Sequence, residues 1–152
     1  MEEKVKTLLA TTTLRVPQEA FALIRLPASV QPDPLSLMDR IGSGAFLSLI
    51  RTAEEITLLT PEAVWDGLAH IWPKATVERG WRLITLEQEI SLDLAGYLAP
   101  LAQALASAGV PLLVVSSFAT DHLLVQGRYL DTALRVLQAV IDEAARDISS
   151  PS

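Results

Sequence analysis

The sequence predicts an α+β fold made of two small modules, each with an antiparallel sheet and helices on one face. Three observations lead to this prediction: the order of strand and helix patterns in the second half, a weaker echo of that order in the first half, and a composition suited to packed cores. Half of the 152 residues are hydrophobic, 5% are aromatic and 20% are charged. A chain of this length can bury a core without disulfides or metal.

The second half reads strand, helix, strand, strand, helix. In order, these elements are a strand at 81–87 with alternating apolar residues, a helix at 94–108, strands at 112–118 and 121–126, and a helix at 128–146. Asp93 is placed to cap the first helix, Gly109 to end it, and Pro100 to delay its start or kink it. This is the βαββαβ plan of a ferredoxin-like sandwich, with the last strand either missing or supplied from elsewhere.

The first half gives a weaker version of the same order. The predicted elements are a strand at 6–15, a strand at 20–26, a loop at 31–34, a short helix at 35–41, a hairpin of 45–50 with 55–59, and a helix from Pro61 through Ala69 capped by Thr60. The segment 80–86 resembles 20–26 at an offset of 60 residues, and 121–125 resembles 55–59 at an offset of 66. The sequence therefore predicts a trimmed N-terminal module at 1–75, a second module at 76–148 and a disordered tail at 149–152.

Composition and motifs exclude several classes of function. The chain has no cysteine and two histidines, so we expect no disulfide, thiol chemistry, metal site or cofactor. A net charge of −6 argues against a nucleic-acid partner. No phosphate-binding glycine loop, nucleophile elbow or nucleophile–base set is recognisable, so we expect a protein that is not an enzyme. The longest apolar run, Val110–Val115, is too short for a membrane span, so the expected location is the cytoplasm.

Four segments resemble the ACT domain, and in particular small bacterial proteins with two tandem ACT-like modules. They are 77–82, 116–125, 22–27 and 51–56. The second of these is similar to a pattern Ser-Thr-aromatic-x-Thr-Asp-aromatic-aliphatic-Leu-Val, with Ser117 in place of threonine and His122 in place of the second aromatic residue. The resemblance covers roughly 20–137. It implies a regulatory module that binds amino acids or similar metabolites where paired domains meet.

Two segments of the second module are candidate ligand-binding sites. At the strand-to-helix loop, unpaired N–H groups of a helix N-terminus favour a carboxylate, and the resemblance implies a ligand beside its glycine; the residues are Asp93, Leu94, Ala95 and Gly96. At the turn between strands, three hydroxyls and one carboxylate can hydrogen-bond an amino acid; the residues are Ser116, Ser117, Phe118, Ala119, Thr120 and Asp121. Asp121 is the best candidate partner for an ammonium group. The structural alternatives are a helix cap and an ordinary polar turn.

The leading hypothesis is a non-catalytic sensor that binds a small amino acid or related metabolite at a module interface. Edge strands and apolar helix faces in such small modules favour pairing, so we expect a homodimer, with a regulated protein as a further partner. The alternative is a protein–protein interaction module whose ligand site is degenerate. The changes at Ser117 and His122 and the trimmed first module favour that alternative.

Overall fold

Five α-helices and seven β-strands lie in the described part of the computed structural model, which is residues 1–30, 34–42 and 44–150. The strands are β1 (Thr13–Arg15), β2 (Phe21–Pro27), β3 (Ser48–Arg51), β4 (Glu55–Pro61), β5 (Thr76–Glu87), β6 (Leu113–Ser116) and β7 (Asp121–Gln126). The helices are α1 (Glu3–Ala10), α2 (Pro34–Ile41), α3 (Glu62–Leu68), α4 (Leu98–Ser107) and α5 (Leu130–Ser149). Residues 31–33 of the predicted loop at 31–34 and the last two residues of the predicted tail, 151–152, lie outside the described residues, and Pro34 is the first residue of α2.

The chain divides into two compact units, and the division falls inside β5. One unit is Gln18–Trp81, and the other combines Met1–Pro17 with Arg82–Ser152. The predicted modules 1–75 and 76–148 remain a prediction, but the compact units have different bounds, because residues 1–17 pack with the C-terminal half of the chain. Ser149, at the start of the predicted tail, is the last residue of α5.

The unit Gln18–Trp81 contains the strand order β3-β4-β2-β5, in which β2 is antiparallel to both of its neighbours. If β2 to β5 are taken as the first to fourth strands of a βαββαβ module, their order across the sheet is second, third, first, fourth. Its core joins strand residues to the two helices; the fully or nearly fully buried members are Ala22, Ile24, Leu26, Leu37, Ile56, Leu58, Trp65 and Leu68. Alternate residues of β2 face this core, as expected for a strand with helices against one face.

The other unit has the same strand order, because the N-terminal segment supplies its fourth strand. The order is β1-β5-β7-β6, with β1 antiparallel to β5 so that Thr13 lies opposite Glu87 and Arg15 opposite Thr85. Alternate residues of β5 and β7 pack against α4, α5 and α1; the buried members include Ile84, Leu86, Leu123, Val125, Leu101, Leu105, Leu137, Val5 and Leu9. The predicted ferredoxin-like α+β fold is confirmed. The sequence left open whether the last strand is missing or supplied from elsewhere, and the structure shows that β1 takes its place.

The prediction of a strand over 6–15 is wrong for its first half, which forms α1. Val5 and Leu9 lie four residues apart and are buried together, a spacing that puts them on one helix face. The Leu- and Thr-rich composition favoured a strand, but burial of this face against α5 decides the conformation. Among the described residues, no helix has the length and apolarity needed to cross a membrane.

The predicted helix at 94–108 starts four residues late, at Leu98. Asp93 is therefore not its N-cap; Tyr97 holds that position and makes no side-chain capping bond. Pro100 falls in the first turn, where its missing N–H leaves no intrahelical bond unmade. Similarly, Pro61 is the last residue of β4 rather than the first residue of α3, and Thr60 does not cap that helix.

Packing of α1 makes a testable prediction about stability. Replacing the fully buried Leu9 with alanine should lower the free energy of unfolding by about 2–5 kcal/mol, because the change removes apolar contacts and leaves a cavity. Leu92 is 75% exposed, so Leu92→Ala is a matched control expected to change stability by at most about 0.5 kcal/mol. Urea denaturation of both variants measures the difference. Equal small effects would mean that α1 does not contribute to the folded unit.

Candidate functional site

An open cleft forms where the loop after β5 meets the turn between β6 and β7. The backbone N–H of Ile90 donates to the carbonyl oxygen of Ala119 at 2.8 Å, which ties the loop to the turn. The cleft has a volume of about 810 Å³ and is lined by residues 88–93 together with Phe118 and Ala119. Both segments that the sequence singled out thus contribute to one cleft, through Asp93, Phe118 and Ala119.

Two large apolar side chains stand exposed beside this cleft. Phe118 is 83% exposed and Leu92 is 75% exposed, although both residue types are usually buried. Neither side chain belongs to the core of the unit. A rim of exposed apolar groups over a concave surface is the arrangement expected of a site that binds an apolar group.

The charges that line the cleft are both negative. Glu89 and Asp93 contribute carboxylates, and no lysine or arginine is among the described lining residues. A hydrogen bond from Ser91 Oγ holds the pKa of the Asp93 carboxyl below its usual value, helped by the Asp93 backbone N–H and by the charge of Lys4, against a smaller opposing effect of desolvation. Asp93 is therefore ionised at neutral pH. The cleft favours a ligand with a positively charged group.

Backbone N–H groups in the same loop offer the opposite polarity. In the part of the chain that the structure describes, the N–H groups of Ser91 and Leu92 donate to no protein acceptor, whereas that of Leu94 closes a turn onto the carbonyl of Ser91 at 3.0 Å. Backbone N–H groups without a protein acceptor are potential donors to a carboxylate. The cleft thus combines anionic side chains, amide donors and apolar surface.

The loop is fixed to the end of α1. Gln88 Nε2 donates to the carbonyl oxygen of Leu8 at 2.9 Å and to Thr11 Oγ1 at 2.8 Å. Thr12 Oγ1 donates to the same carbonyl at 2.7 Å, so the buried Tyr97 hydroxyl must be the donor in its own 2.7 Å bond to Thr12. These bonds anchor the loop on both sides of residues 89–96.

The rest of the predicted strand-to-helix site points elsewhere. Gly96 has a φ of +96°, and a Cβ atom built on it would lie 4.0 Å from Val5 Cγ2, so this glycine faces α1. Leu94 is half-buried against the core of the unit, and Ala95 is exposed without lining the cleft. Of this predicted group, only Asp93 lines the cleft.

Most hydroxyls of the predicted turn bond within the turn itself. Ser116 Oγ donates to Asp121 Oδ1 at 2.6 Å, and the N–H and Oγ of Ser117 both donate to the carbonyl of Thr120. The predicted site residues Ser116, Ser117, Thr120 and Asp121 are not among the described residues that line the cleft. Their arrangement is that of a polar turn, and it presents Phe118 at its tip.

His122 lies on β7, between β5 and β6, and is buried. It is 8% exposed, with Nδ1 3.0 Å from Thr85 Oγ1 and Nε2 3.0 Å from Ser117 Oγ. Because Ser117 Oγ donates to Thr120, Nε2 is the donor to Ser117 and Nδ1 accepts from Thr85. Burial lowers the pKa of His122 below its ordinary 6.5, Arg15 lowers it further, and Asp121 opposes both. Sequence reasoning missed this site because Thr85 lies 37 residues away.

Comparison with known families places the cleft within a recognised domain. Residues 76–139 match the ACT domain family. The matched stretch runs from the start of β5 into α5 and includes every cleft residue. No curated protein matches the chain at a significant level.

Solved structures with the same fold include whole chains of similar length. A protein from Agrobacterium tumefaciens has a TM-score of 0.68 at 23% identity, over 86% of this chain and 89% of that one. A Vibrio cholerae protein of unknown function, described as a possible transport protein, has a TM-score of 0.65 at 22% identity, over 90% and 95%. The ligand-free regulatory subunit of aspartate kinase from Thermus thermophilus has a TM-score of 0.61 at 11% identity, over 86% and 97%. At these identities the likeness shows the fold alone.

The buried histidine of the ACT-matched unit predicts a pH-dependent stability. Because the pKa of His122 is lower in the folded than in the unfolded chain, stability is full above about pH 6.5 and falls as the pH drops through the folded-state pKa, by up to about 1.4 kcal/mol per pH unit. His122→Gln should remove this loss, since an amide hydrogen-bonds without titrating. Urea denaturation at pH values from about 5 to 8, spaced by about half a pH unit, measures the slope of stability against pH.

The exposed His70 supplies the matched control for this experiment. His70→Gln should leave the slope of stability against pH as it is in the parent protein. If the His122→Gln profile still follows that of the parent, another group is responsible for the slope.

Proposed function

We propose that this chain is a non-catalytic regulatory protein that binds a small amino acid or a related metabolite in the cleft between the β5 loop and the β6–β7 turn. The proposal rests on one observation: carboxylates, amide donors and exposed apolar side chains line a single cleft within the ACT-matched stretch. An amino acid carries the complementary ammonium, carboxylate and side chain.

The contacts of the cleft suggest how such a ligand lies. The ammonium group faces the Asp93 carboxylate, with Glu89 adding negative charge. The carboxylate accepts from the N–H groups of Ser91 and Leu92, and the ligand's side chain packs on Phe118. Asp121, the partner expected from the sequence, accepts a bond from Ser116 and does not line the cleft. Asp93 therefore replaces it in the proposal.

We also propose that Gln18–Trp81 is a second ACT-like module. The family match, at residues 76–139, overlaps this unit only at residues 76–81. What supports the proposal is its strand order, which is the same as that of the matched unit, together with the positions of β2 and β4, which correspond to those of β5 and β7. The sequence resemblances relate the same strands: the segment of β2 resembles that of β5 at an offset of 60 residues, and the segment of β4 resembles that of β7 at an offset of 66.

We infer that the protein pairs with a second copy through β6. This strand ends the order of its sheet, and no described strand lies beyond it. Leu113 and Val114 are 40% and 41% exposed, and residues 110–120 carry no charge. Exposed edge strands are normally protected by charged residues, as β3 is by Arg51. An uncharged edge suits antiparallel pairing about a two-fold axis.

Ligand binding should appear as thermal stabilisation in a panel of the common amino acids. A ligand at 100 times its dissociation constant should stabilise the fold by about 2.7 kcal/mol. Asp93→Asn keeps an acceptor for Ser91 and removes the charge, so it should weaken binding of any ligand found, by about five- to tenfold. Phe118→Ala should also weaken binding while changing stability by at most about 0.5 kcal/mol, because this ring is exposed.

Asp142→Asn is the control for the charge change, because Asp142 lies on the exposed face of α5, where it accepts a bond from Gln138. Its affinity should equal that of the parent. If no amino acid shifts melting and a specific protein co-purifies instead, the amino-acid proposal fails and the interaction-module alternative replaces it. If binding survives both cleft substitutions unchanged, the ligand lies elsewhere.

Pairing through β6 should respond to a charge placed on that edge. Val114→Lys sets two like charges near each other across the two-fold axis and should shift sedimentation from dimer to monomer. Ile50→Lys makes the same change on β3, where the parent residue is 53% exposed, and should leave the dimer intact. A parent protein that sediments as a monomer at every concentration, or a Val114→Lys variant that stays dimeric, would exclude this interface.

A further inference from the structure

A second pocket lies in the Gln18–Trp81 unit, at the end of β2. Leu26 and Pro27 with the following turn form one wall, and residues 71–75, between α3 and β5, form the other. Its volume is about 270 Å³. The ACT family match does not extend to β2, and the amino-acid cleft proposed above shares no residue with this pocket.

Both walls of the pocket are held by local bonds. The N–H of Val30 donates to the carbonyl of Pro27 at 3.0 Å, and the N–H of Ala75 donates to that of Trp72 at 3.1 Å. The Trp72 ring is stacked on the buried Trp65, with centroids 6.3 Å apart and planes within 5°. Trp72 is thus a firmly placed aromatic wall, and the pocket exists without rearrangement.

The described lining of this pocket is apolar except at two positions. Leu26, Val30, Ile71 and Trp72 supply hydrophobic surface, Ser29 supplies a hydroxyl, and Lys74 supplies the only charge among the described lining residues. In the part of the chain that the structure describes, no carboxylate lies within ion-pair distance of the Lys74 ammonium. A few polar groups at the margin of an apolar pocket fix a ligand's orientation and its charge preference.

We propose that this pocket binds a small carboxylic acid with an apolar body. The apolar body lies against Trp72 and Leu26, and the carboxylate faces Lys74. The volume is below the roughly 300–1,000 Å³ of pockets that hold drug-sized ligands, so the ligand is limited to about one ring or one short branched chain. The charge preference is opposite to that of the cleft, where Glu89 and Asp93 exclude a simple anion. The two sites therefore take different ligands.

The experiment is a titration of ¹⁵N-labelled protein with phenylacetate, compared with 2-phenylethylamine, which has the same ring and the opposite charge. Phenylacetate should move the amide signals of residues 71–75 and of Val30, with a dissociation constant of about 1 mM or tighter. The amine should bind this pocket at least about fivefold more weakly. Quenching of tryptophan fluorescence by phenylacetate, lost in Trp72→Phe, gives an independent readout.

Lys74→Gln should weaken phenylacetate binding by about two- to fivefold, and Lys74→Glu should invert the preference in favour of the amine. Lys4→Gln, a matched change on the exposed face of α1, should leave the affinity unaltered. Any of three results would overturn the proposal. These are shifts confined to residues 88–93 and 118–119, equal affinity for the acid and the amine, or no shift at a concentration about ten times the expected dissociation constant. None of these results bears on amino-acid binding in the cleft, which the thermal-shift panel tests separately.

Discussion

The antiparallel pairing of β1 with the end of β5 is the constraint on which the unit made of Met1–Pro17 and Arg82–Ser152 depends. Without β1, the backbone groups of residues 85–87 on that side would lack ladder partners. The same pairing brings α1 against α5, where Val5 and Leu9 enter the core. The pairing of this short strand, Thr13–Arg15, therefore positions α1 for burial. The buried face of α1 supplies more apolar contact than the strand itself.

The position of α1 also fixes the start of the loop that lines the cleft. The C-terminal carbonyl of Leu8 would be one of the unsatisfied acceptors at a helix end, and it accepts from both Gln88 and Thr12. Gln88 is the first residue after β5, so this bond fixes where the cleft loop leaves the sheet. The second fixed point is the bond from Ile90 to Ala119. Around these points the side chains of Glu89, Ser91, Leu92 and Asp93 are exposed and remain available to a ligand.

Elements with strong local patterns were predictable, whereas contacts between distant residues were not. The alternation at 81–87 correctly predicted a strand, although β5 begins earlier, at Thr76, and the strand predicted at 121–126 is β7. The helix α1 was missed because the three threonines at 11–13 favour a strand, and because its amphipathic face is only two buried residues long. The site shows the same division. Asp93 and Phe118 stood out by type, but Glu89 and Ser91 enter the cleft only because the loop bends towards Ala119, a contact without a sequence signal.

The polarity of the cleft limits the charge of what it can hold. In the proposed binding mode, a zwitterionic amino acid would place its ammonium near Asp93 and its carboxylate on backbone N–H groups, so that each charge would meet its opposite. A second carboxylate on the ligand would lie within about 10 Å of both Glu89 and Asp93, a range over which exposed charges still repel at physiological salt. Acidic amino acids are therefore the poorest fit. Since Phe118 is the largest exposed apolar group of the unit, the cleft is best suited to a neutral or basic amino acid with an apolar side chain or stem.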